Sequence, residues 1–374
     1  MKKRVFTAPG RIEIGGNHTD HQHGLVLAAA VNLEIKAYVS SRADKIVSIE
    51  NEQYGSIRVD LSDFDMREEE KETSTGVVRG VAAWFNERGY ATGGFDASIT
   101  STVPVGSGLS SSAAFEVLIG NIFKGLYGAG VSPLDIALAG KYAENVYFGK
   151  PCGLMDQAAS SFGGLSMIDF GDPHNTVVTP IDADFSGYEM CVVETGGSHA
   201  DLTSKYAAIP QEMGSVANFF GNKFLASVDP EMFYQSIKNL RAAGIDDRAI
   251  LRAIHFFDEN GRVKKQAAAL MEGNMAVFLD TVRESGRSSL AYLQNVFPSG
   301  DVKKQGLTLA LALSERILAQ NGASRVHGGG FAGTILTFVP NDLKERYKRQ
   351  MCDVFGDNSC HFLSVSAGGT EVAG

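Results

Sequence analysis

Three stretches of this 374-residue chain combine residue types that do chemistry at spacings that would let them act together. The first is Val103-Pro104-Val105-Gly106-Ser107-Gly108-Leu109-Ser110-Ser111-Ser112-Ala113-Ala114. Phe95, Ala97, Ile99 and Val103 alternate with polar residues, which predicts a strand that Pro104 closes. The unbroken apolar segment from Ala113 to Tyr127 predicts a largely buried helix. The Gly/Ser loop between them therefore opens onto a helix N-terminus, where unpaired N–H groups and the helix dipole favour an anion. Gly106 and Gly108 let the backbone approach a phosphate. The serines can cap the helix, bond phosphate oxygens or ligate Mg2+. The Gly-Lys-Ser/Thr ending of a P-loop is absent. A plain strand–turn–helix connection with a Ser cap is the alternative.

The second stretch is Gly10-Arg11-Ile12-Glu13-Ile14-Gly15-Gly16-Asn17-His18-Thr19-Asp20-His21-Gln22-His23-Gly24. Its Asn, His and Asp side chains pair donors with acceptors, the chemistry that holds sugar hydroxyls. A polar surface loop is one alternative. A metal site from His18, Asp20, His21 and His23 is another. The third stretch joins Glu144, on a predicted helix, to Cys152-Gly153-Leu154-Met155-Asp156-Gln157 after Pro151. A carboxylate there serves as a base or, more plainly, as a helix cap.

The elements that must position these groups read as a mixed α+β chain. Lys36 to Ser40 and Lys45 to Glu50 read as strands, and Ile57, Val59 and Leu61 have the period of another. The acidic run from Asp63 to Glu72 reads as a solvated loop. Val77, Val81 and Phe85 recur at helical spacing until Gly89, with Trp84, the sole tryptophan, turned to the core. Ser132-Pro133 with Asp135 is a helix start, and that helix is expected to run through Tyr142 to about Tyr147. After about Asp172 the pattern restarts: a buried strand from Tyr188 to Glu194, helices to about Gly322, a strand from Gly333 to Val339, and a helix opened by Asn341. The length suits two domains, placed at 1–175 and 176–374.

Composition excludes several classes. Net charge is −9 with no Lys/Arg block, so nucleic acid is not an expected partner. Apolar runs such as Leu25 to Val31 are too short to span a membrane. Met1-Lys2-Lys3-Arg4 is followed by Pro9, Gly10 and Arg11 rather than an apolar stretch, so no secretory leader is expected. Cys152, Cys191, Cys352 and Cys360 lie far apart, which reads as free thiols in a reducing cytoplasm.

Pro-x-Gly-x-Gly-Leu-Ser-Ser-Ser-Ala resembles the phosphate-binding motif of the kinase superfamily that includes galactokinase, homoserine kinase and mevalonate kinase. The segment at 10–24 resembles the galactokinase signature Gly-Arg-Val-Asn-x-x-Gly-Glu-His-Thr-Asp-Tyr, and Pro151 to Gln157 resembles the family's Pro-Cys-Gly-Ile-Met-Asp-Gln. Thr195 to Tyr206 and His327-Gly328-Gly329-Gly330-Phe331-Ala332-Gly333 are similar to two further family stretches, in the family's order.

The resemblance implies a ribosomal-S5-like N-terminal domain, a ferredoxin-like C-terminal domain, and transfer of phosphate from ATP to the C1 hydroxyl of galactose. It implies that Asp156 and Arg11 are catalytic and that Asn17, His18, Asp20, Gly153 and Tyr206 bind the sugar. The loop Gly106, Ser107, Gly108, Leu109, Ser110, Ser111 and Ser112 would bind nucleotide, and Ser112 and Glu144 would hold Mg2+. Several positions depart from the family: Glu13 stands for Asn, Asn17 for Glu, His21 for Tyr, Leu154 for Ile, Ala332 for Gly, and Ser198 for a basic phosphate contact, with Lys205 as its substitute. The family's adenine-stacking Trp falls at about Ser74. The family Glu at position 17 bonds the sugar's C6 hydroxyl, so Asn17 keeps galacturonate or L-arabinose open as substrates. A non-catalytic galactose-sensing regulator, and a kinase of mevalonate or homoserine, are the readings of other classes. Small-molecule sugar and ATP are the expected partners; no oligomeric state follows from the sequence.

Overall fold

The computed structural model describes residues 3–51, 55–104, 106–128, 130–150, 152–172, 176–197, 202–298, 300 and 303–372. The chain is α+β and forms two compact units. One unit takes residues up to Arg11, Ala29–Gly164 and the chain from Val365; the other takes Ile12–Ala28 and Leu165–Ser364. The sequence suggested a single cut at 175/176.

The first unit is built on a twisted sheet whose strands run in the order Thr370–Val372, Arg4–Gly15, Leu25–Ser41, Phe95–Ser101, Ile46–Asn51, Gly55–Asp60. Phe95–Ser101 shows the expected alternation, with Phe95, Ala97 and Ile99 buried and Asp96, Ser98 and Thr100 exposed. It pairs antiparallel with Leu25–Ser41 but parallel with Ile46–Asn51. A parallel pair needs a long crossover, and the chain supplies it through Gly55–Asp60 and the helix Ser74–Glu87. The strand Leu25–Ser41 is three times the length read from the sequence.

The helices Ser74–Glu87, Ser111–Tyr127, Pro133–Tyr142 and Met155–Phe162 pack on one another. Ser132 caps Pro133–Tyr142 in a full capping box with Asp135, as expected. The helical path continues as a π turn over Ala143–Phe148, which carries Glu144. Trp84 is 2% exposed and belongs to the core. The acidic run is only partly solvated: Glu70 is buried and paired with the buried Arg79 at 2.6 Å, a partner nine residues along that no local pattern reveals.

Gly163 adopts φ +71, and a Cβ there would run into the backbone of Gly368. Gly163→Ala combines left-handed strain with overpacking, each costing about 1–3 kcal/mol. Its denaturation midpoint is expected well below that of the parent, and an unchanged midpoint would contradict this packing.

The second unit holds a four-stranded antiparallel sheet in the order Cys360–Leu363, Tyr188–Glu194, Thr334–Pro340, Ala323–His327. Every residue of Thr334–Pro340 is buried, because it is paired on both sides. Val193, Val326, Ile335 and Val339 pack beneath Gly306–Leu318 and Lys344–Phe355 through Leu307, Ile317, Tyr347 and Met351. A second, helical core gathers Ile209, Met213, Val216, Phe233, Leu240 and Phe256 from Thr203–Phe219 and Asp247–Met271 and the short helices between them. The four cysteines are free thiols.

Candidate active site

In the first unit the Gly/Ser loop does what its composition suggests. Gly106 and Gly108 take φ +79 and +73, and Ser110, in the left-handed region at φ 59, leads into Ser111–Tyr127. No side chain caps that helix. Ser110 Oγ, one of the candidate caps, instead donates to Asp156 Oδ2. The first-turn N–H groups are thus left for an incoming anion. Ser112 is exposed in this first turn. Two residues counted with the nucleotide loop turn inward: Ser107 Oγ donates to Pro104 O at 2.8 Å, and the Leu109 side chain is wholly buried. Their side chains are structural, and only their backbone serves the loop. Val105 lies outside the described residues.

Arg11 is the bracket of this site. Its Nε and Nη2 donate to Asp156 Oδ1 and Oδ2, both at 2.7 Å, a bidentate pair. Its Nη1 donates to Gly108 O at 2.6 Å, and its backbone N–H to Leu109 O at 3.0 Å. Gly10 keeps the strand this close, since a Cβ there would stand 2.8 Å from Leu109 O. Burial opposes the Asp156 charge, but the Arg11 charge and hydrogen bonds, with Ser110, outweigh it and hold the carboxyl below its usual range. Asp156 is an anion at neutral pH. Gly153 lies three residues before it, half-buried, in a loop pinned by the Cys152 N–H donating to Asn145 Oδ1 at 2.6 Å.

Glu144 is buried, accepts from Gln157 Nε2 at 3.0 Å and faces Lys150 Nζ at 3.4 Å. The same Gln157 nitrogen donates to Glu116 at 2.8 Å. Burial, then the charge of Glu144, push Glu116 well above the carboxylate range. Glu116 thus favours its protonated form. Sequence reading passed over Glu116. The available signal was a single acid in the apolar run Ala113 to Tyr127.

In the second unit three of the proposed sugar residues converge on the Gly-rich turn at 328–330. Asn17 Nδ2 donates to Gly328 O at 2.7 Å, His18 Nε2 lies 2.9 Å from Gly329 O, and Tyr206 OH donates to Gly330 O at 2.8 Å. Thr19 ties the signature turn by donating to Gly16 O and Leu25 O at 2.8 and 2.6 Å. Asp20 opens the one-turn segment Asp20–Gln22 and is half-buried. His23 stacks on Phe224 at 3.8 Å. Among the described residues no group of three or more His, Cys, Asp or Glu side chains is set for a metal.

Asn17 corrects an expectation. It is fully buried, and its amide is used inside: Nδ2 also donates to Glu13 Oε1 at 2.9 Å, and Oδ1 accepts from Asn295 at 2.8 Å. An enclosed amide does not face a sugar substituent, so Asn17 shapes the turn at 328–330 instead. The departure at Glu13 has its own answer. Arg325 Nη2 donates to Glu13 Oε1 at 2.6 Å, with both side chains buried. Ser198 lies outside the described residues.

Residues 76–164 match the GHMP kinases N terminal domain, and residues 1–41 match the galactokinase galactose-binding signature. A galactokinase of Glaesserella parasuis is 32% identical over 99% of this chain and 95% of its own length. The chain belongs to the galactokinase family. A galactokinase of Actinobacillus pleuropneumoniae is 32% identical over 92% of this chain and 88% of its own. The crystal structure of Lactococcus lactis galactokinase complexed with galactose shares the fold, with TM-score 0.85 at 24% identity over 99% of this chain and 95% of that one. The Methanococcus jannaschii mevalonate kinase follows at TM-score 0.68 and 13% identity, covering 97% of this chain and 98% of its own. The two-domain α+β fold is therefore that of galactokinases and their GHMP relatives.

His18 and His21 of this galactokinase family member stay neutral. Burial outweighs the opposing hydrogen bond to Gly329 and, with the nearby Arg252 and Arg325 charges, takes His18 down to about 4. Burial likewise pushes His21 and His255 below the ordinary value. Neutral His18 donates from Nε2 to Gly329 O, which leaves its Nδ1, 3.2 Å from His21 Nε2, to accept from that ring. The unfolded chain, whose histidines titrate near 6.5, binds protons that the folded chain refuses. Stability should therefore fall as pH drops from about 6.5 toward 4. Urea midpoints between pH 7 and 5.5 check this: His21→Asn should flatten the slope, and a parent with no slope would contradict it.

Proposed function

We propose that this chain is a galactokinase that moves the γ-phosphoryl group of ATP to the C1 hydroxyl of galactose, giving α-galactose 1-phosphate and ADP. The observation that carries the reading is the Arg11–Asp156 bidentate pair locked to the Gly/Ser loop. In this account the O1–Pγ bond forms as the bond from Pγ to the bridging oxygen breaks, and ADP leaves with that electron pair. Asp156 takes the C1 hydroxyl proton or stabilises it as it departs, and Arg11 keeps Asp156 ionised. The loop from Gly106 to Ser112 receives the phosphates at the uncapped helix. Asp20, His18, Tyr206 and Gly153 orient the sugar. Positioning and charge stabilisation supply most of the rate.

Ser112 and Glu144 fit Mg2+ in kind: both offer hard oxygens, and few protein ligands are usual when phosphates complete the shell. When bound, the ion would neutralise phosphate charge. The motifs divide the chain at 175/176, with the sugar signature and phosphate loop before it. An ATP-dependent kinase works in the cytoplasm. Among the described residues no helix is long and apolar enough to cross a membrane.

An ADP-release assay with ATP, Mg2+ and galactose, galacturonate, L-arabinose, N-acetylgalactosamine or glucose tests the reading. Galactose should turn over fastest. Bound galactose without ADP release would overturn it.

A further inference from the structure

A cavity of about 240 Å³ in the second unit has a wall that includes Lys205, Arg248, Arg252, Gln294 and Phe331. No carboxylate stands among its described lining residues. One acid, Glu212, sits behind two of the cations. Arg248 donates through Nη2 to Glu212 Oε1 at 2.5 Å and through Nε to Oε2 at 3.1 Å, and Arg252 Nη1 lies 2.9 Å from the same Oε2. Arg252 is 2% exposed and donates from Nε to Leu293 O at 3.1 Å. Its buried Nη1, although close to Glu212, has no aligned hydrogen-bond acceptor. Burial, with Arg248 adding to it and Glu212 opposing, pulls Arg252 below its ordinary value. Arg248 and Arg252 thus share the Glu212 carboxylate, and an oxyanion in the void would add a second anionic partner for the two guanidinium groups.

The cavity lies beside the residues proposed for the sugar. Lys205 precedes Tyr206 on the helix Thr203–Phe219, and the Phe331 ring stands edge-on to Tyr206 at 5.4 Å. The charge of Arg252 reaches both His18 and His21.

We propose that this cavity binds a small oxyanion, a phosphate or carboxylate group, through Lys205, Arg248 and Arg252. The planar guanidinium fork matches both groups. Two sources can deliver the anion: free phosphate, or the C6 carboxylate of a galacto-configured uronic acid. The second source rests on the galactokinase reading and the first does not. With Asn17 enclosed, this wall rather than that side chain decides whether a carboxylate is accepted.

The test uses the full chain and the variants Lys205→Met and Arg248→Ala, both partly exposed positions, with melting curves in chloride to verify folding. Calorimetry measures inorganic phosphate binding against chloride at equal ionic strength. ADP release is measured in parallel with galactose and galacturonate. A free-anion site predicts phosphate binding that weakens about 10- to 100-fold in each variant, the worth of one charged hydrogen bond. A uronate site predicts galacturonate turnover that falls by a similar factor in Arg248→Ala while galactose kcat/KM holds in that variant. Phosphate binding without turnover of any sugar would sink the kinase reading and leave the anion site standing. Absence of both phosphate binding and galacturonate binding in the parent would overturn the proposal, as would variants that bind either as tightly as the parent.

Discussion

Asp156→Asn is expected to lower kcat for galactose by about 10²- to 10⁴-fold, the range for removing a positioned base. The amide keeps the size of the carboxylate but loses its charge and one acceptor. Arg11, whose side chain is 7% exposed, then has no anion to face, and the Ser110 hydroxyl must find another acceptor or accept from the new amide. Galactose affinity should change little, because the residues proposed to bind the sugar, Asp20, His18 and Tyr206, are others. Steady-state ADP release and calorimetric galactose binding, measured on the same preparation, separate the two effects. A loss below tenfold would remove Asp156 from the chemistry. An equal loss of binding would make its role structural.

Glu13→Gln is expected to cost about 3–5 kcal/mol of stability, because removing one partner of a buried ion pair strands the other. Arg325 is fully buried; Nη1 donates to Ile14 O at 2.8 Å, Nη2 goes to Glu13, and Nε has no hydrogen-bond partner among the described residues. Against a total of about 5–15 kcal/mol this is a large fraction. Glu13 also accepts from Asn17, so its loss should loosen the turn at 328–330 and raise the galactose KM. Denaturant melts of Glu13→Gln, Arg325→Gln and the double variant form a cycle. The double variant should be less destabilised than the two singles summed. Strict additivity would mean the pair is not coupled.

What the sequence revealed and what it hid follow from range. The phosphate loop, the Ser132 capping box and the catalytic segment are contiguous, and local physics gives them their form: glycines at positive φ, a Ser cap, Pro at the first helical position. Long-range partners were invisible. Glu13 and Arg325 are 312 residues apart, and nothing near Glu13 signals a buried cation. Asn17 sits in a polar turn that looks exposed until Asn295, Gly328 and the main chain close over it. The loop serines were legible as candidate caps, but only the fold reveals that the Ser110 hydroxyl serves Asp156 instead. Glu116 escaped because an acid in an apolar helix carries no motif, and its meaning depends on sharing Gln157 with Glu144. Of the strand Leu25–Ser41 only the far end, Lys36 to Ser40, was seen, because its Ala-rich first half has no alternation.

The most direct test of the central claim is the structure of the product. Purified protein, galactose, ATP and Mg2+ are incubated, and the product is examined by proton and phosphorus NMR. An anomeric proton in the α configuration coupled to phosphorus, appearing together with ADP, is the predicted result. A phosphoester on any other carbon, or ATP unchanged beside free galactose, would contradict it.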